Sequence, residues 1–306
     1  MHYTLLMEPI AHIQTDFAQK FGIPRQSGLV ASLEGRIVFE PAYAVPDAVR
    51  GLDAFSHVWL IWEFENDERE FEDGNNDHQQ SGSANTGAAD REKPERPSWS
   101  PLVRPPRLGG DKKMGVFATR SPNRPNRIAL SCVRLIRVEL AYARDVYDYP
   151  SASSTASCGP GISSPLCGAA AAPPSRTAIP SAFELSPDAL VPVLYVGGAD
   201  LRNNTPIYDI KPYLPEVDAH PEATGGFVDD IPWHKLPVNI APELLARIPV
   251  EKQEALLGVL SEDPRPARMH NHTDTKEYKL TFAQKEIRFT VTGSADSSII
   301  HVVSID

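Results

Sequence analysis

Hydrophobic residues fall in short β-like runs along much of this chain, and these runs read as strands. Residues 36–39, 58–64, 114–118 and 190–196 are such runs. Pro192 puts the last of these at a sheet edge or a bulge, because proline has no N–H to give to a central ladder. The longest run, residues 128–140, sets Val133, Leu135 and the Ile136/Val138 positions against Arg134 and Arg137. That is the pattern of a strand buried on one face and basic on the other. Few amphipathic helices separate these runs, so a doubly wound parallel sheet is not expected. An antiparallel sheet or barrel fits better. No GxGxxG follows a strand and no GxxxxGK[ST] occurs, so neither a dinucleotide fold nor a P-loop is indicated.

The C-terminal seventy or so residues have a different rhythm. Leu244, Leu245, Ile248, Leu256, Leu257 and Leu260 recur at helical spacings, which predicts one or two short helices across residues 242–261, broken at Pro249. The helical stretch ends at Asp263-Pro-Arg-Pro266. Residues 278–282 and 287–291 then alternate strictly, and 299–303 supplies a third strand. The expected organisation is therefore a main β domain over residues 1–232 and a small α+β module over 233–306. Two insertions interrupt the main domain. Residues 67–98 pass from an acidic patch into Asn, Gln, Ser and Gly, and residues 150–182 are mostly Ser, Ala, Pro, Gly and Thr. Neither holds enough apolar side chains to offset its ordering entropy, so both read as loosely held loops.

Composition narrows the class. With 306 residues and 41% hydrophobic content the chain can bury a sizeable core, which excludes global disorder. No run approaches the eighteen or so apolar residues of a membrane-spanning helix, and the first residues lack the pattern of a secretory signal. Cys132, Cys158 and Cys167 form neither a ligand pattern nor an even disulfide set, which points to a reducing, intracellular setting. No His/Cys/Asp cluster has metal spacing, so no metal is expected. The net charge of −10 argues against a general nucleic-acid binder. Its distribution says more. Residues 103–137 carry nine basic side chains against the single acid Asp111, a local +8 that leaves the remainder at −18. One basic segment on an acidic protein points to a dedicated anionic partner.

Three segments combine backbone-fixing glycine or proline with polar groups, as a preorganised site requires. They are FGIPRQSGLV from Phe21, VRPPRLGG from Val103 running into MGVFATRSPNRPN, and NNTPIYDIKPY from Asn203. With AVRGLDAFSHVWLIWEF from Ala48, these strings resemble the TsaA-like family, the TrmO-type tRNA (adenine-N(6))-methyltransferases that use S-adenosylmethionine. The likeness spans roughly residues 8–66, 99–140 and 190–216 and skips both insertions. The segment ending in Asp263-Pro-Arg-Pro266 resembles the C-terminal module of the bacterial members. The resemblance implies a non-Rossmann β-barrel methyltransferase, acting as a homodimer on threonylcarbamoyl-adenosine just 3′ to the anticodon of tRNA.

Carried over residue by residue, the resemblance implies S-adenosylmethionine contacts at Gln26, Ser27, Gly28, Glu65, Asn66, Arg120, Leu130, Asn203, Asn204, Thr205 and Pro206. The chain departs from the family pattern where Glu65-Asn66 replaces His-Gln and Asn203-Asn204 replaces Asp-Gly. The basic segment supplies the candidate RNA contacts Arg104, Arg107, Lys112, Arg124 and Arg127, since an anticodon stem-loop offers phosphates to Arg and Lys. The acceptor amine is a poor nucleophile whose carbamoyl group acidifies its N–H, so a proton acceptor helps. Asp209 is the candidate proton acceptor or organiser, with Lys211 and Tyr213 orienting it or the base, and the other reading is an Asp209–Lys211 network that only shapes the pocket. His57 reads as a packed strand histidine. Two other functions stay open on sequence: methylation of a different RNA or small molecule, and a non-catalytic adaptor binding through residues 67–98. Binding of S-adenosylmethionine separates the adaptor from the enzymes.

Overall fold

In the computed structural model, which describes residues 7–64, 99–108, 112–148, 177–178, 185–231, 234–270, 272, 275–293 and 297–306, the β-like runs become strands. First in the chain come β1 (Ala11–Gln14), β2 (Glu34–Phe39) and β3 (His57–Glu63). Short strands β4 (Leu102–Val103) and β5 (Met114–Gly115) pair with each other ahead of the long β6 (Ile128–Tyr142). A second small ladder joins β7 (Tyr147–Asp148) to β8 (Thr177–Ala178), and β9 (Leu190–Gly197) and β10 (Thr205–Pro212) follow. The C-terminal part holds β11 (Val238–Asn239), β12 (Tyr278–Phe282), β13 (Lys285–Thr292) and β14 (Ile299–Ile305). Residues 65–98, and all but 177–178 of the second insertion, lie outside the described residues.

Six strands close a barrel in the order β1–β10–β3–β6–β9–β2, every pair antiparallel. The mainly β, non-Rossmann expectation holds. Period-two patterning explains the closure. Val58, Leu60 and Trp62 of β3 turn inward and are buried, while His57, Trp59, Ile61 and Glu63 keep partial exposure. Antiparallel closure has a consequence for function. The ends of β1, β3 and β9 meet the starts of β2, β6 and β10, so the connections 15–33, 64–127 and 198–204 all emerge at one end of the barrel.

Two bulges set which side chains point out. In β6 the register shifts between Leu135 and Arg137, leaving Ile136 without a partner, and this extra residue keeps both Arg134 and Arg137 on the exposed face. In β10 the shift falls between Ile207 and Asp209. Thr205 and Ile207 are buried inward, and the extra residue Tyr208 re-aims Asp209 and Lys211 outward. Two sequence expectations are corrected here. The run 114–118 is a strand only as far as Gly115, after which Val116–Ala118 forms a 3-10 turn. Residues 205–212, read as a rigid proline-held segment, form a barrel strand. Pro192 sits where β9 pairs β6 alone, because the ladder to β2 begins at Val193.

The C-terminal strands form one sheet in the order β11–β14–β13–β12, covered by helices Pro242–Leu245 and Val250–Ser261 that break at Pro249 as expected. Its core extends beyond its own residues. Phe17, Val30 and Leu33 from the β1–β2 connection share it with Leu256, Leu260, Leu280 and Phe289. Phe21 stacks on Tyr278 with ring centroids 6.3 Å apart. Gly22, at φ +91°, lies so close to Leu280 that an added Cβ would stand 2.1 Å from its Cδ1. Arg265, fully buried, is held bidentately by Asp263, with Nε–Oδ1 at 2.8 Å and Nη2–Oδ2 at 2.7 Å.

Arg265→Ala leaves the Asp263 carboxylate buried without its main partner, and is expected to cost about 3–5 kcal/mol of stability in a urea titration. An unchanged midpoint refutes that account. His270 offers a check through pH. Burial is the main cause that pushes its pKa below the ordinary value, and the nearby Arg25 and Arg265 charges act the same way against the pull of Asp263. Below that ordinary value the unfolded chain binds a proton that the folded chain resists, so stability falls as pH drops. Wild type should therefore lose stability more steeply than His270→Gln between about pH 7 and pH 5.5.

Candidate functional site

The barrel end that gathers the three connections also gathers most of the residues singled out in the sequence. Gln26, Ser27 and Gly28 lie in the β1–β2 connection, Arg120 and Leu130 in or just after the β3–β6 connection, and Asn203–Pro206 where β10 begins. Glu65 and Asn66 lie outside the described residues. Gly28 donates its N–H to the carbonyl of Gly198 at 2.9 Å. The approach demands glycine: a Cβ on Gly198, itself at φ +76°, would stand 3.2 Å from the Gly28 backbone. Gly28 adopts φ +81°, and the space its own Cβ would occupy has no heavy atom within 4 Å. Backbone there is open to a ligand on one side and locked on the other. Arg120 reaches across to this loop and donates from Nη1 to the side-chain oxygen of Gln26 at 2.6 Å.

Beneath the loop sits an acid that sequence reading missed. Asp200 accepts the hydroxyl of Ser131 at 2.7 Å, and Ser131 accepts the indole N–H of Trp62 at 3.0 Å. The backbone N–H of Ser27 also donates to Asp200. Burial pushes the Asp200 pKa up, against the opposite pull of these hydrogen bonds and of the Arg120 charge. One desolvated carboxylate thus ties the barrel wall, the Gln26–Gly28 loop and Arg120 together. The available signal was the polar Ser131 on the inward side of an apolar strand, paired with an acid two residues after Gly197-Gly198.

The second group forms a rim with its side chains largely engaged. The amide oxygen of Asn203 accepts the N–H of Thr15 at 3.0 Å, and the Asn204 N–H donates to Ile13 at 2.7 Å. The Thr205 hydroxyl donates to the carbonyl of Arg202 at 2.8 Å. What this rim offers a ligand is chiefly backbone and Pro206.

Asp209 and Leu130 belong to a third surface, the outer wall. Both are in register with Ile61 of β3, one on each side, so they lie about 10 Å apart across the sheet. Leu130 is 51% exposed. Asp209 accepts the N–H of Ile210 at 2.9 Å and pairs with the Lys211 ammonium at 2.8 Å. Tyr213 is not brought to this group. It lies beyond the other end of β10, on the order of 25 Å along the strand from Thr205, where its N–H donates to the His57 carbonyl. Its ring packs against Trp59 and His57. His57 is the packed strand histidine expected, its ring 2.9 Å from the Ser56 hydroxyl.

Two residues of the basic segment hold backbone carbonyls. Arg107 donates to the carbonyl of Ile231 at 3.0 Å, and Arg124 donates to the carbonyls of Thr119 and Ser121 at 3.1 and 3.0 Å. Both brace the chain as well as charging it. Arg104, Lys112, Lys113 and Arg120 are exposed, and Arg127 is half-buried in a left-handed turn at φ +46°. Among the described residues no group of three or more His, Cys, Asp or Glu could hold a metal ion.

Comparisons with known proteins agree with this layout. The profile of the tRNA-methyltransferase O N-terminal domain matches residues 12–147 and 183–219, and that of the TrmO C-terminal domain matches residues 234–306. A tRNA (adenine(37)-N6)-methyltransferase of Escherichia coli (strain K12) is 31% identical, over 93% of this chain and 92% of its own. A protein of the same name from Eikenella corrodens is 32% identical over 78% of this chain and 92% of its own. A crystal structure of TrmO from Pseudomonas aeruginosa superposes with a TM-score of 0.55 at 22% identity, covering all of both chains, which shows the shared fold. On the strength of both family profiles and of relatives alike over nearly its whole length, the chain belongs to the tRNA-methyltransferase O (TrmO) family.

Proposed function

We propose that this chain is an S-adenosylmethionine-dependent methyltransferase acting on N-6 of adenosine 37 in tRNA, with threonylcarbamoyl-adenosine as the acceptor. The observation that carries the reading is the convergence of the three motif-bearing connections at one barrel end, tied together by Asp200 and bordered by the basic segment. The names of the relatives point the same way. S-adenosylmethionine supplies an electrophilic methyl group when bound. The residues that fit it are Gln26, Ser27, Gly28, Arg120, Leu130 and the Asn203–Pro206 rim, joined by Glu65 and Asn66 on the resemblance. The fit rests on Gly28, whose open face lets a ligand approach the backbone, and on Arg120, whose charge and hydrogen bond orient Gln26.

The remaining chemistry belongs to proton handling and position. Asp209, re-aimed outward by the Tyr208 bulge and in register with Leu130 across Ile61, accepts the proton that the N-6 amine loses. Lys211, 2.8 Å away, fixes the orientation of that carboxylate. Tyr213 acts at a distance, by packing on Trp59 and His57 at the foot of the strand. Holding the amine in line with the methyl group supplies much of the rate, and a rigid barrel rim suits that demand. Arg104, Arg107, Lys112, Arg124 and Arg127 grip the phosphates of the anticodon stem-loop. Residues 1–232 form the methyltransferase unit and residues 233–306 the module that supports it, in a homodimer. Among the described residues no helix is long and apolar enough to cross a membrane. A tRNA substrate supports an intracellular, cytoplasmic setting.

Calorimetry tests the cofactor site. Arg120→Ala and Asp200→Ala are each expected to weaken S-adenosylmethionine binding by about 1–3 kcal/mol, the range for losing a charge-assisted contact. Unchanged affinity in both folded variants removes the assignment. The substrate class is tested by replacing Arg104, Lys112 and Lys113 with Gln. RNA affinity should fall, its dependence on salt should flatten, and S-adenosylmethionine binding should stay the same. Parallel salt slopes for wild type and variant would reduce the basic segment to a solvated face. Nucleoside mass spectrometry of tRNA from cells lacking the protein decides the product directly.

A further inference from the structure

One aromatic side chain in the basic segment is placed where packing gives no reason for it. Phe117 is 74% exposed, although its neighbour Val116 is buried at 1%. Its surroundings are rigid. The Val116 N–H donates to Pro101 at 2.9 Å, and the N–H of Thr119 donates back to Val116 at 3.1 Å, as its hydroxyl does at 2.8 Å. Arg124 clamps the carbonyls of Thr119 and Ser121, and the Ser100 N–H donates to Asn123 at 3.1 Å. The backbone that carries Phe117 is therefore held in place at the surface. One face of the ring is taken. Trp99 stacks there, with centroids 6.3 Å apart and planes 26° from parallel.

A half-stacked ring within a basic segment suits a flat ring system carried on a polyanion. Arg120 is three residues away and exposed, and the surrounding segment carries the +8 charge. We propose that Phe117, backed by Trp99, is a stacking platform for an unpaired base of the anticodon loop. This rests on the tRNA reading and deepens it, since phosphates grip any RNA whereas a stacking ring selects splayed bases over paired ones.

The test measures affinity for a synthetic anticodon stem-loop RNA at several salt concentrations, with the intact protein. Phe117→Ala and Phe117→Leu should each weaken binding about tenfold, within the range for one base stacked on one aromatic ring. Phe117→Tyr should bind within about twofold of wild type, because the π face is kept while Leu keeps only bulk. The salt slope should be the same in all four proteins, as should affinity for S-adenosylmethionine. Leu binding as well as Phe overturns the proposal and leaves the tRNA reading intact. Wild type failing to bind the RNA removes both. Should Phe117→Ala instead shift the sedimentation coefficient with RNA affinity per chain unchanged, the ring's occupant is a second copy of the protein and the proposal is wrong.

Discussion

The site depends first on a stretch of chain that has no regular structure to hold it. Residues 15–33 contain neither helix nor strand, yet they carry Gln26, Ser27 and Gly28. Fixing each backbone residue costs roughly 1–2 kcal/mol of entropy, so such a connection is ordered only by contacts outside itself. Two sides provide them. From the C-terminal module come the core shared with Phe17, Val30 and Leu33, the Phe21–Tyr278 stack, and Lys252 paired with Asp16. Lys235 adds a bond to the carbonyl of Leu29 at 3.2 Å while pairing with Glu262. From the barrel come the Gly28–Gly198 contact and the Ser27 N–H on Asp200. The loop is a shared wall. The small α+β module is thus tied to the chemistry through the loop it packs, and Arg25, one residue before Gln26, makes the link explicit. It donates to the carbonyl of Arg265 at 3.4 Å, and burial lowers its pKa despite the opposing pull of Asp263 and Glu262.

Charge is organised on the same plan. A bare count of +8 overstates what the basic segment can offer an RNA, because part of that charge is spent on the scaffold. Arg107 and Arg124 cap carbonyls, and a guanidinium suits that role because its donors are spread in a fixed fork. Arg137 lies 3.5 Å over the Tyr195 ring and near Glu139. Arg104, Lys112, Lys113 and Arg120 lie exposed in the β3–β6 connection. Arg120 stands between the two proposed sites, attached to Gln26 on the one hand and lying three residues from Phe117 on the other.

Much of this was legible in the sequence, for a physical reason: a strand that lines a core carries a run of β-branched, aromatic and other apolar residues. Residues 58–64, 128–140 and 190–196 announced themselves by such runs, and the break between the C-terminal helices by Pro249 itself. Bulges were not legible. Ile136 and Tyr208 each insert one residue into a ladder, and only the partner strand reveals it. The misreading of 205–212 follows, since two prolines and the flip from inward Ile207 to outward Asp209 hide the period. Asp200 was missed because a single acid after two glycines looks like any turn. Its meaning comes from Ser131, nearly seventy residues earlier in the chain. Tyr213 shares the DIKPY segment with Asp209, but in a strand their four-residue spacing sets the two side chains on the order of 13 Å apart.

The departures of this chain from its family's pattern can be judged by the same physics. Where Asp-Gly is usual, Asn203-Asn204 must satisfy two demands: an acceptor for the Thr15 N–H and a residue at ease with positive φ. Asn203 meets the first through its amide oxygen at 3.0 Å, a role a carboxylate oxygen would fill in the same geometry. Asn204 sits at φ +66°, a left-handed conformation that favours glycine and that asparagine tolerates better than most side chains. The turn therefore keeps its shape and loses one negative charge. That loss lies at the rim where β1 and β10 pair, with Ile13 opposite Thr205, so it weakens no link in the chain from Trp62 through Ser131 and Asp200 to Ser27. A change confined to the rim alters how a ligand is bordered. The frame that positions Gln26, Ser27 and Gly28 is left as it was.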